Sequence, residues 1–141
     1  MPTDQRVFRL RVATPTSTVV DEPIVALSAE DESGQFGIRP GHETFLTALT
    51  TGIVSFRTPA GAERFLAVRG GVLWVTGEEV AVVTRDAALG EDVGDLEGRV
   101  VAAFLRSDEE ERKGGAALTR MQIAALRQLI EYEDVARRAA P

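Results

Sequence analysis

His42 is the residue of this chain best suited to acid–base or metal chemistry, and it is the only histidine. A zinc site needs several nitrogen or sulfur ligands, but the chain has one histidine and no cysteine. A Ser-His-Asp triad would have to use His42, yet no serine lies in the Gly-x-Ser-x-Gly turn that exposes a nucleophile. The sequence therefore predicts no catalytic residue and no metal site, and it argues against an enzyme.

The sequence also lacks the usual phosphate-binding loops. A Walker-type loop requires Gly-Lys followed by Ser or Thr. The single lysine, Lys113, stands instead in an Arg-Lys-Gly-Gly run, and no Gly-x-Gly-x-x-Gly occurs. We therefore expect no nucleotide cofactor.

Two acidic runs and one tryptophan are candidate binding residues. Residues 30–32 (Glu-Asp-Glu) have the composition of a cation site, but a solvated hairpin tip is the interpretation we favour. Residues 108–111 are acidic enough to dock a basic partner, and we interpret them as a charged connector between helices. We expect Trp74 to pack within an alternating strand rather than to stack on a ligand.

Arg39-Pro40-Gly41-His42 is a stretch suited to holding two polar side chains in place. Pro40 fixes its own φ and biases Arg39 towards an extended conformation, while Gly41 permits a tight reversal. Without catalytic partners, such a loop fits a recognition surface. The alternative is that His42 only hydrogen-bonds backbone groups of the turn, and the residues by themselves leave both interpretations open.

Composition limits the classes of function further. The chain has 141 residues, is 44% hydrophobic and carries a net charge of -6. An acidic chain argues against nucleic acid, because phosphate binding relies on clustered Lys and Arg. The N-terminus lacks an apolar signal-peptide core, and no run of about 18 apolar residues predicts a membrane span. We expect any link to a membrane to pass through a partner.

Short alternating segments dominate residues 1–89. In residues 6–12, Phe8, Leu10 and Val12 share one face while two arginines share the other, which predicts a half-buried strand. Turn residues separate further short strands at 22–23, 33–34, 40–41 and 70–71, and hairpin loops are predicted at 58–61 and after Thr76. Strands this short and regular indicate a sandwich or barrel.

The spacing of apolar residues becomes helical after about residue 90. One stripe comprises Val93, Leu96, Val100, Val101, Phe104 and Leu105. Asp92 or Asp95 is expected to cap this helix. Residues 106–115 are predicted to be a polar connector, and a second helix is predicted from about Ala116, with a stripe of Leu118, Met121, Ala125, Leu129 and Tyr132. The fold class is therefore α+β, with residues 1–89 as the β domain and 90–141 as a helical hairpin.

Three motifs resemble those of the epsilon subunit of rotary F-type ATP synthases. The first is Gly-Gln-Phe-Gly-Ile-Arg-Pro-Gly-His at 34–42, followed by Leu-Thr at 46–47 and Gly at 52. The second is the Gly-Gly at 70–71 between two strands, and the third is Asp-Ala-Ala at 86–88. The resemblance implies an N-terminal antiparallel β-sandwich of about ten strands followed by a C-terminal helix hairpin.

The resemblance also implies a function and partners. Members of the family are non-catalytic rotor subunits that bind the gamma subunit, rest on the c-ring and help to couple ion flow to ATP synthesis. By resemblance, Glu32, Gln35 and Arg39 face the c-ring. Thr14, His42 and Thr47 then face gamma. The implied location is peripheral, on the cytoplasmic side of the cell inner membrane.

The C-terminal half departs from the common family pattern. Many bacterial members carry Asp-x-x-Arg-Ala at the first helix, and some bind ATP there. Here Asp95 and Arg99 are four apart and a valine replaces the alanine, so no ATP site is expected. Residues 104–112 resemble the alternate F-type ATPase lineage instead.

The hairpin of family members can extend and inhibit ATP hydrolysis by contacts with the alpha/beta catalytic subunits. Arg120 and Arg127 are the candidate contacts here, and solubilising the second helix is the alternative role for them. A rival interpretation of the whole chain is a free-standing β-sandwich module for a small ligand, with the hairpin as a dimerisation element.

Overall fold

The alternating segments form ten strands within the residues that the computed structural model describes, 6–113 and 124–131. The hairpin loops predicted at 58–61 and after Thr76 are confirmed, and residues 30–32 lie at a hairpin tip as interpreted. The strands are β1 (Phe8–Ala13), β2 (Thr18–Ile24), β3 (Ala26–Asp31), β4 (Gly34–Ile38), β5 (Phe45–Leu49), β6 (Gly52–Arg57), β7 (Glu63–Val68), β8 (Gly71–Thr76), β9 (Glu79–Val83) and β10 (Ala87–Gly90).

The strands divide into two layers of five. One layer has the order β4-β3-β6-β7-β10 and the other β5-β8-β9-β1-β2. A single residue pair, Asp31 with Leu49, joins β3 to β5 and connects the layers. The pairs are antiparallel apart from β1 with β9, which are parallel.

Inward-facing residues of both layers share one core. Leu10, Ile24, Leu66 and Leu73 are completely buried in it. The predicted half-buried strand is confirmed, because Phe8, Leu10 and Val12 are buried while the residues between them are exposed. Each large apolar side chain buried in this way stabilises the fold by about 1.5–3 kcal/mol. Trp74 lies half-buried in the interior strand β8, paired with Leu46 and Ala81, as expected for a packed residue.

The turn predicted at Glu22-Pro23 is wrong, because both residues lie inside β2. Proline has no N–H to donate and is tolerated where that side of a strand needs no partner. Among the described strands, β2 pairs with β1 alone and is therefore an edge strand. An edge position thus accommodates Pro23 without breaking the strand.

A helical segment follows the last strand and is more continuous than predicted. Helix α1 (Val93–Asp95) leads through a π-helical turn (Leu96–Val101) into α2 (Ala102–Lys113). The cap is Asp92, whose Oδ1 accepts a hydrogen bond from the Asp95 N–H at 3.2 Å. The polar connector predicted from residue 106 is wrong, because Arg, Lys and Glu favour helix and α2 runs to residue 113.

The predicted apolar stripe of this helix is only partly buried. Leu96, Val101 and Phe104 pack on Ala67 of β7, whereas Val93 and Leu105 are exposed. A π-helical turn adds a residue to the repeat, so the five-residue step from Leu96 to Val101 replaces the step of three or four. Most of the predicted stripe nevertheless faces the sandwich, because Leu96, Val101 and Phe104 are buried and Val100 packs against them.

Residues 124–131 are helical, within the predicted second helix. Ala125 and Leu129 of the predicted stripe are half-buried, and both face cavities on the outer surface of β1 and β9. Leu118, Met121 and Tyr132 lie outside the described residues. Among the helices of residues 6–113 and 124–131, none is long and apolar enough to cross a membrane.

We predict that Gly71→Ala destabilises the sandwich far more than Gly34→Ala. Both glycines have positive φ, 125° and 117°, so both substitutions carry backbone strain. A Cβ on Gly71 would lie 2.2 Å from the Val83 carbonyl oxygen, whereas a Cβ on Gly34 meets nothing within 4 Å. Urea unfolding should show a loss of about 1 kcal/mol for Gly34→Ala and roughly 3 kcal/mol or more for Gly71→Ala. Equal losses would contradict the packing around Gly71.

Candidate interaction surface

The loop between β4 and β5 holds His42 by local contacts. The His42 N–H donates to the Arg39 carbonyl oxygen at 3.2 Å, which closes the Pro-Gly turn. The His42 Nδ1 lies 2.8 Å from the Glu43 carbonyl oxygen and donates to it, because a carbonyl only accepts. The imidazole also packs edge-on to Phe45, with 5.7 Å between ring centroids. The side chain is half-buried, so part of the ring stays available to a partner.

Arg39, on the same loop, is exposed beside a cavity of about 230 Å³. Across the part of the chain that the structure describes, no hydrogen bond or ion pair engages its guanidinium. The opposite side of this cavity is lined by Arg57 and Glu63, whose side chains approach to 3.5 Å. Arg39 is thus presented to solvent with its charge unpaired.

Glu32 and Gln35 lie at the tip of the β3–β4 hairpin, and both are exposed. Asp31 fixes the tip, since its Oδ1 accepts from the Ser33 N–H at 2.8 Å and also from the Ser33 hydroxyl. These hydrogen bonds, led by those from the Ser33 and Thr47 hydroxyls, lower the pKa of Asp31 below its usual value. The tip therefore presents its polar side chains from a constrained backbone.

Thr14 and Thr47 are engaged in hydrogen bonds within the chain. Thr47 Oγ1 donates to Asp31 Oδ2 at 2.7 Å. Thr14 closes the β1–β2 turn, where its Oγ1 accepts from the Ser17 N–H at 3.2 Å. Thr14 also lines the cavity of about 240 Å³ beside the helix at 124–131.

Five of the six predicted interface residues fall into two groups at opposite ends of β4, and the sixth, Thr14, lies in the β1–β2 turn. Glu32 and Gln35 lie at the hairpin tip, and Asp31 brings Thr47 to the same end. Arg39 and His42 follow the other end of β4, near the start of β5. The structure thus separates Arg39 from the two residues expected to share its partner, and it separates His42 from Thr47.

A four-residue ion cluster fastens α2 to one end of the sandwich. Arg69 Nε lies 2.7 Å from Asp108 Oδ1, and Arg69 Nη2 lies 2.8 Å from Glu111 Oε1. Arg85 pairs with Glu111 and approaches Asp108 at 4.0 Å. Thr51 Oγ1 completes the contact by donating to Asp108 Oδ2 at 2.8 Å. Three strands therefore contribute to holding α2. Arg69 follows β7, Arg85 follows β9 and Thr51 precedes β6.

Burial makes this cluster stronger than an ordinary surface pair. The side chains of Arg69, Arg85 and Asp108 are only 13%, 12% and 15% exposed. The hydrogen bond from Arg85, followed by the contact with Arg69, lowers the pKa of Glu111 to about 2. The pKa of Arg69 is raised, because the carboxylates of Asp108 and Glu111 outweigh the effect of its burial. Partial removal from water strengthens such attraction.

The ion cluster is the feature that the sequence analysis missed. Asp108 and Glu111 were interpreted as parts of a charged connector, which is wrong, since both lie on α2 and face the two arginines. Their spacing of three residues places them on one helical face, and that was the available signal. Their partners lie 39 and 26 positions away, with no local pattern to connect them.

The remaining predicted residues have separate positions. Asp95 and Arg99 pair with each other, with Arg99 Nη2 3.0 Å from Asp95 Oδ2, on an exposed helical surface. Arg127 is exposed on the helix at 124–131, and Arg120 lies outside the described residues. Within residues 6–113 and 124–131, no group of three or more His, Asp or Glu side chains is arranged to hold a metal ion.

Comparison with known proteins identifies related sequences. A family model described as the beta-sandwich domain of the ATP synthase delta/epsilon chain matches residues 7–90. The chain is 41% identical over 127 residues to ATP synthase epsilon chain 2 of Paraburkholderia xenovorans, covering 89% of this chain and 91% of the relative. It is 39% identical to ATP synthase epsilon chain 2 of Cereibacter sphaeroides, covering 89% and 87%.

A solved structure has the same fold. A chain in the cryo-EM structure of the Euglena gracilis mitochondrial ATP synthase superposes with a TM-score of 0.58, covering 92% of this chain and 81% of that chain. The sequence identity is 20%, so the likeness is one of fold.

We predict that Glu111→Gln loosens α2 in a pH-dependent way. Because the folded pKa of Glu111 is lowered from 4.5 to about 2, its stabilisation is complete above pH 4.5 and is lost as the pH falls towards 2. At pH 7 we expect Glu111→Gln to lose about 2 kcal/mol in denaturant unfolding. The difference from wild type should shrink progressively below pH 4.5.

Glu109→Gln is the matched control, because Glu109 is an exposed residue of the same helix. It should change the unfolding free energy by less than about 0.5 kcal/mol. A difference between wild type and Glu111→Gln that stays constant from pH 7 to pH 2 would contradict the role given to Glu111.

Proposed function

Because this chain belongs to the ATP synthase delta/epsilon chain family, we propose that it is a non-catalytic central-stalk subunit that couples ion-driven c-ring rotation to ATP synthesis. The resemblance carried by residues 34–42 and 70–71 is confirmed. One observation carries the proposal: relatives named ATP synthase epsilon chain 2 align with 89% of the chain. The two-layer sandwich and its attached helices supply the surfaces that such a subunit needs.

The hairpin tip is the proposed contact with the c-ring. Glu32 and Gln35 are exposed there on a backbone that Asp31 constrains. A preformed polar loop binds with little loss of conformational entropy. Arg39 lies at the other end of β4, and its unpaired guanidinium supports a separate contact of its own with the c-ring.

The β4–β5 loop and the strand that follows it form the proposed contact with the gamma subunit. His42 keeps part of its ring accessible while the turn fixes its orientation. The Thr47 hydroxyl donates to Asp31, and the Thr14 hydroxyl accepts from the Ser17 N–H. We therefore expect these two residues to shape the gamma-binding surface by fixing the backbone around them.

The C-terminal helix is the proposed inhibitory element. Two cavities of about 240 Å³ lie between the helix at 124–131 and the sandwich, and Gln128 lines both. Because the packing is loose, the helix can dissociate from the sandwich at a low cost in free energy. Arg127 is exposed and available to acidic residues of the alpha and beta subunits, and Arg120 is proposed to act with it.

The proposed location is the cytoplasmic side of the cell inner membrane, to which the subunit is attached peripherally through the c-ring. The rival proposal is a free-standing ligand-binding module with a helical dimerisation element. The two proposals differ in the partner they require, which is gamma in the first and a second copy of this chain in the second.

We predict that the chain co-elutes one-to-one with the gamma subunit of the same genome after co-expression and size-exclusion chromatography. His42→Ala should weaken this complex roughly tenfold, because an oriented ring at the interface is lost. His42→Asn is the matched control, since an amide N–H can still donate to the Glu43 carbonyl. If only His42→Ala weakens the complex, His42 serves the turn alone. Separate elution of folded wild-type partners, with this chain as a dimer, would favour the rival.

We predict that ending the chain after Lys113 releases inhibition of ATP hydrolysis. The ion cluster and α2 remain in this truncated chain, so the sandwich keeps its helical cover. The rate of ATP hydrolysis by the assembled complex should rise several-fold. This is the factor expected if the inhibitory contacts stabilise the inhibited state by about 1 kcal/mol or more. The double variant Arg120→Gln/Arg127→Gln should give part of this rise. Unchanged hydrolysis in both would contradict the inhibitory role.

A further inference from the structure

Asp31 lies where the two layers of the sandwich meet. Its pairing with Leu49 is the single backbone pair between β3 and β5. The neighbouring Glu30 carbonyl oxygen accepts from the Thr50 N–H at 3.1 Å and from the Thr50 hydroxyl at 3.3 Å. The corner is therefore short, with few contacts to hold one layer against the other.

The Asp31 carboxylate binds to both sides of this corner at once. Its Oδ1 accepts two hydrogen bonds from Ser33, one from the backbone N–H at 2.8 Å and one from the hydroxyl. Its Oδ2 accepts from Thr47 Oγ1 at 2.7 Å. Over the described ranges 6–113 and 124–131, this is the one side-chain to side-chain hydrogen bond between β3 and β5. The same carboxylate thus fixes the hairpin tip and attaches it to the other layer.

We propose that Asp31 is a positioning residue that makes the Glu32–Ser33 tip mechanically continuous with β5 through Thr47. The inference rests on the proposed function, in which the tip meets the c-ring and the β5 side meets gamma. Hydrogen bonds to an ionised carboxylate are shorter and stronger than neutral ones. A sideways force on the Glu32–Ser33 loop is then transmitted to β5 through the Asp31–Thr47 hydrogen bond, without the loop first having to bend.

A purely structural role for Asp31 predicts a different set of effects. In that case its loss would lower the stability of the sandwich and would leave transmission unchanged in the fraction that folds. In the role proposed here, loss of the Thr47 hydroxyl changes the tip and the coupling of the complex while the sandwich still folds and still binds gamma.

The test uses Thr47→Val, Thr47→Ser and Asp31→Asn in the intact ATP synthase and in the isolated subunit. Thr47→Val keeps the shape of the side chain and removes the donor, whereas Thr47→Ser keeps the hydroxyl. Ser28→Ala is the matched control, because Ser28 is exposed on the same strand as Asp31, lies outside both proposed contacts and makes no side-chain hydrogen bond within the described residues. The readouts are hydrogen exchange of the Ser33 and Thr50 amides, co-elution with gamma, and membrane potential generated per ATP hydrolysed.

We expect Thr47→Val to speed exchange at these two amides about fivefold, the factor that one lost hydrogen bond represents. Asp31→Asn should speed it at least as much, since the amide replaces the charged acceptor. Both variants should generate less potential per ATP than wild type while still co-eluting with gamma. Thr47→Ser and Ser28→Ala should match wild type in all three measurements.

Failure of this inference differs from failure of the proposed function. Wild-type chain that does not co-elute with gamma overturns the proposed function, and the inference with it. Wild-type co-elution together with unchanged exchange and potential in Thr47→Val and Asp31→Asn overturns the inference alone. Loss of gamma binding by Thr47→Val, with the tip amides still protected, also overturns it, because Thr47 would then be a direct contact.

Discussion

Strand β7 is apolar on both faces, and the architecture follows from the need to cover it twice. Leu66 and Val68 point into the core shared by the two layers, while Ala67 and Phe65 point outward. A sheet face of this kind cannot stay in water at low cost. The sandwich covers the inner face, and the helical segment after β10 covers the outer one with Leu96, Val101 and Phe104. Beyond these apolar contacts, the ion cluster attaches the second half of α2 to the sandwich through Asp108 and Glu111.

Much of the sandwich was predictable because alternation is a local signal. The burial of Phe8, Leu10 and Val12 and the hairpin loops at 58–61 and after Thr76 follow from neighbouring residues alone. The errors arose where tertiary context prevails over local preference. Pro23 is tolerated because β2 turned out to be an edge strand, and α2 continues past residue 106 because its acids meet arginines on the sandwich.

The candidate surfaces were harder to predict than the fold. Motifs at 34–42 identify the family, and the Pro-Gly turn correctly indicates a constrained loop around His42. Nothing in the spacing reveals that Asp31 reaches Thr47 across the corner, 16 positions away, or that Arg69 reaches Asp108 on α2. Such contacts depend on how whole layers and helices are placed, and a charged run alone does not state which side chains will face a partner. The π-helical turn shows the same limit, since nothing in the apolar spacing indicates a π-helical turn at Leu96–Val101.

The parallel pairing of β1 with β9 has a consequence for how the chain is made. Arg11 and Glu79 meet across this pair although they are 68 positions apart, so the first strand has no partner on that side until most of the sandwich has been synthesised. The β1–β2 hairpin emerges from the ribosome with Phe8, Leu10 and Val12 uncovered and must wait for them to be buried. Closing so long a loop is slow, and unpaired apolar strands attract other chains in the meantime. The order of the strands thus leaves one apolar face of the β1–β2 hairpin uncovered until β9 is in place.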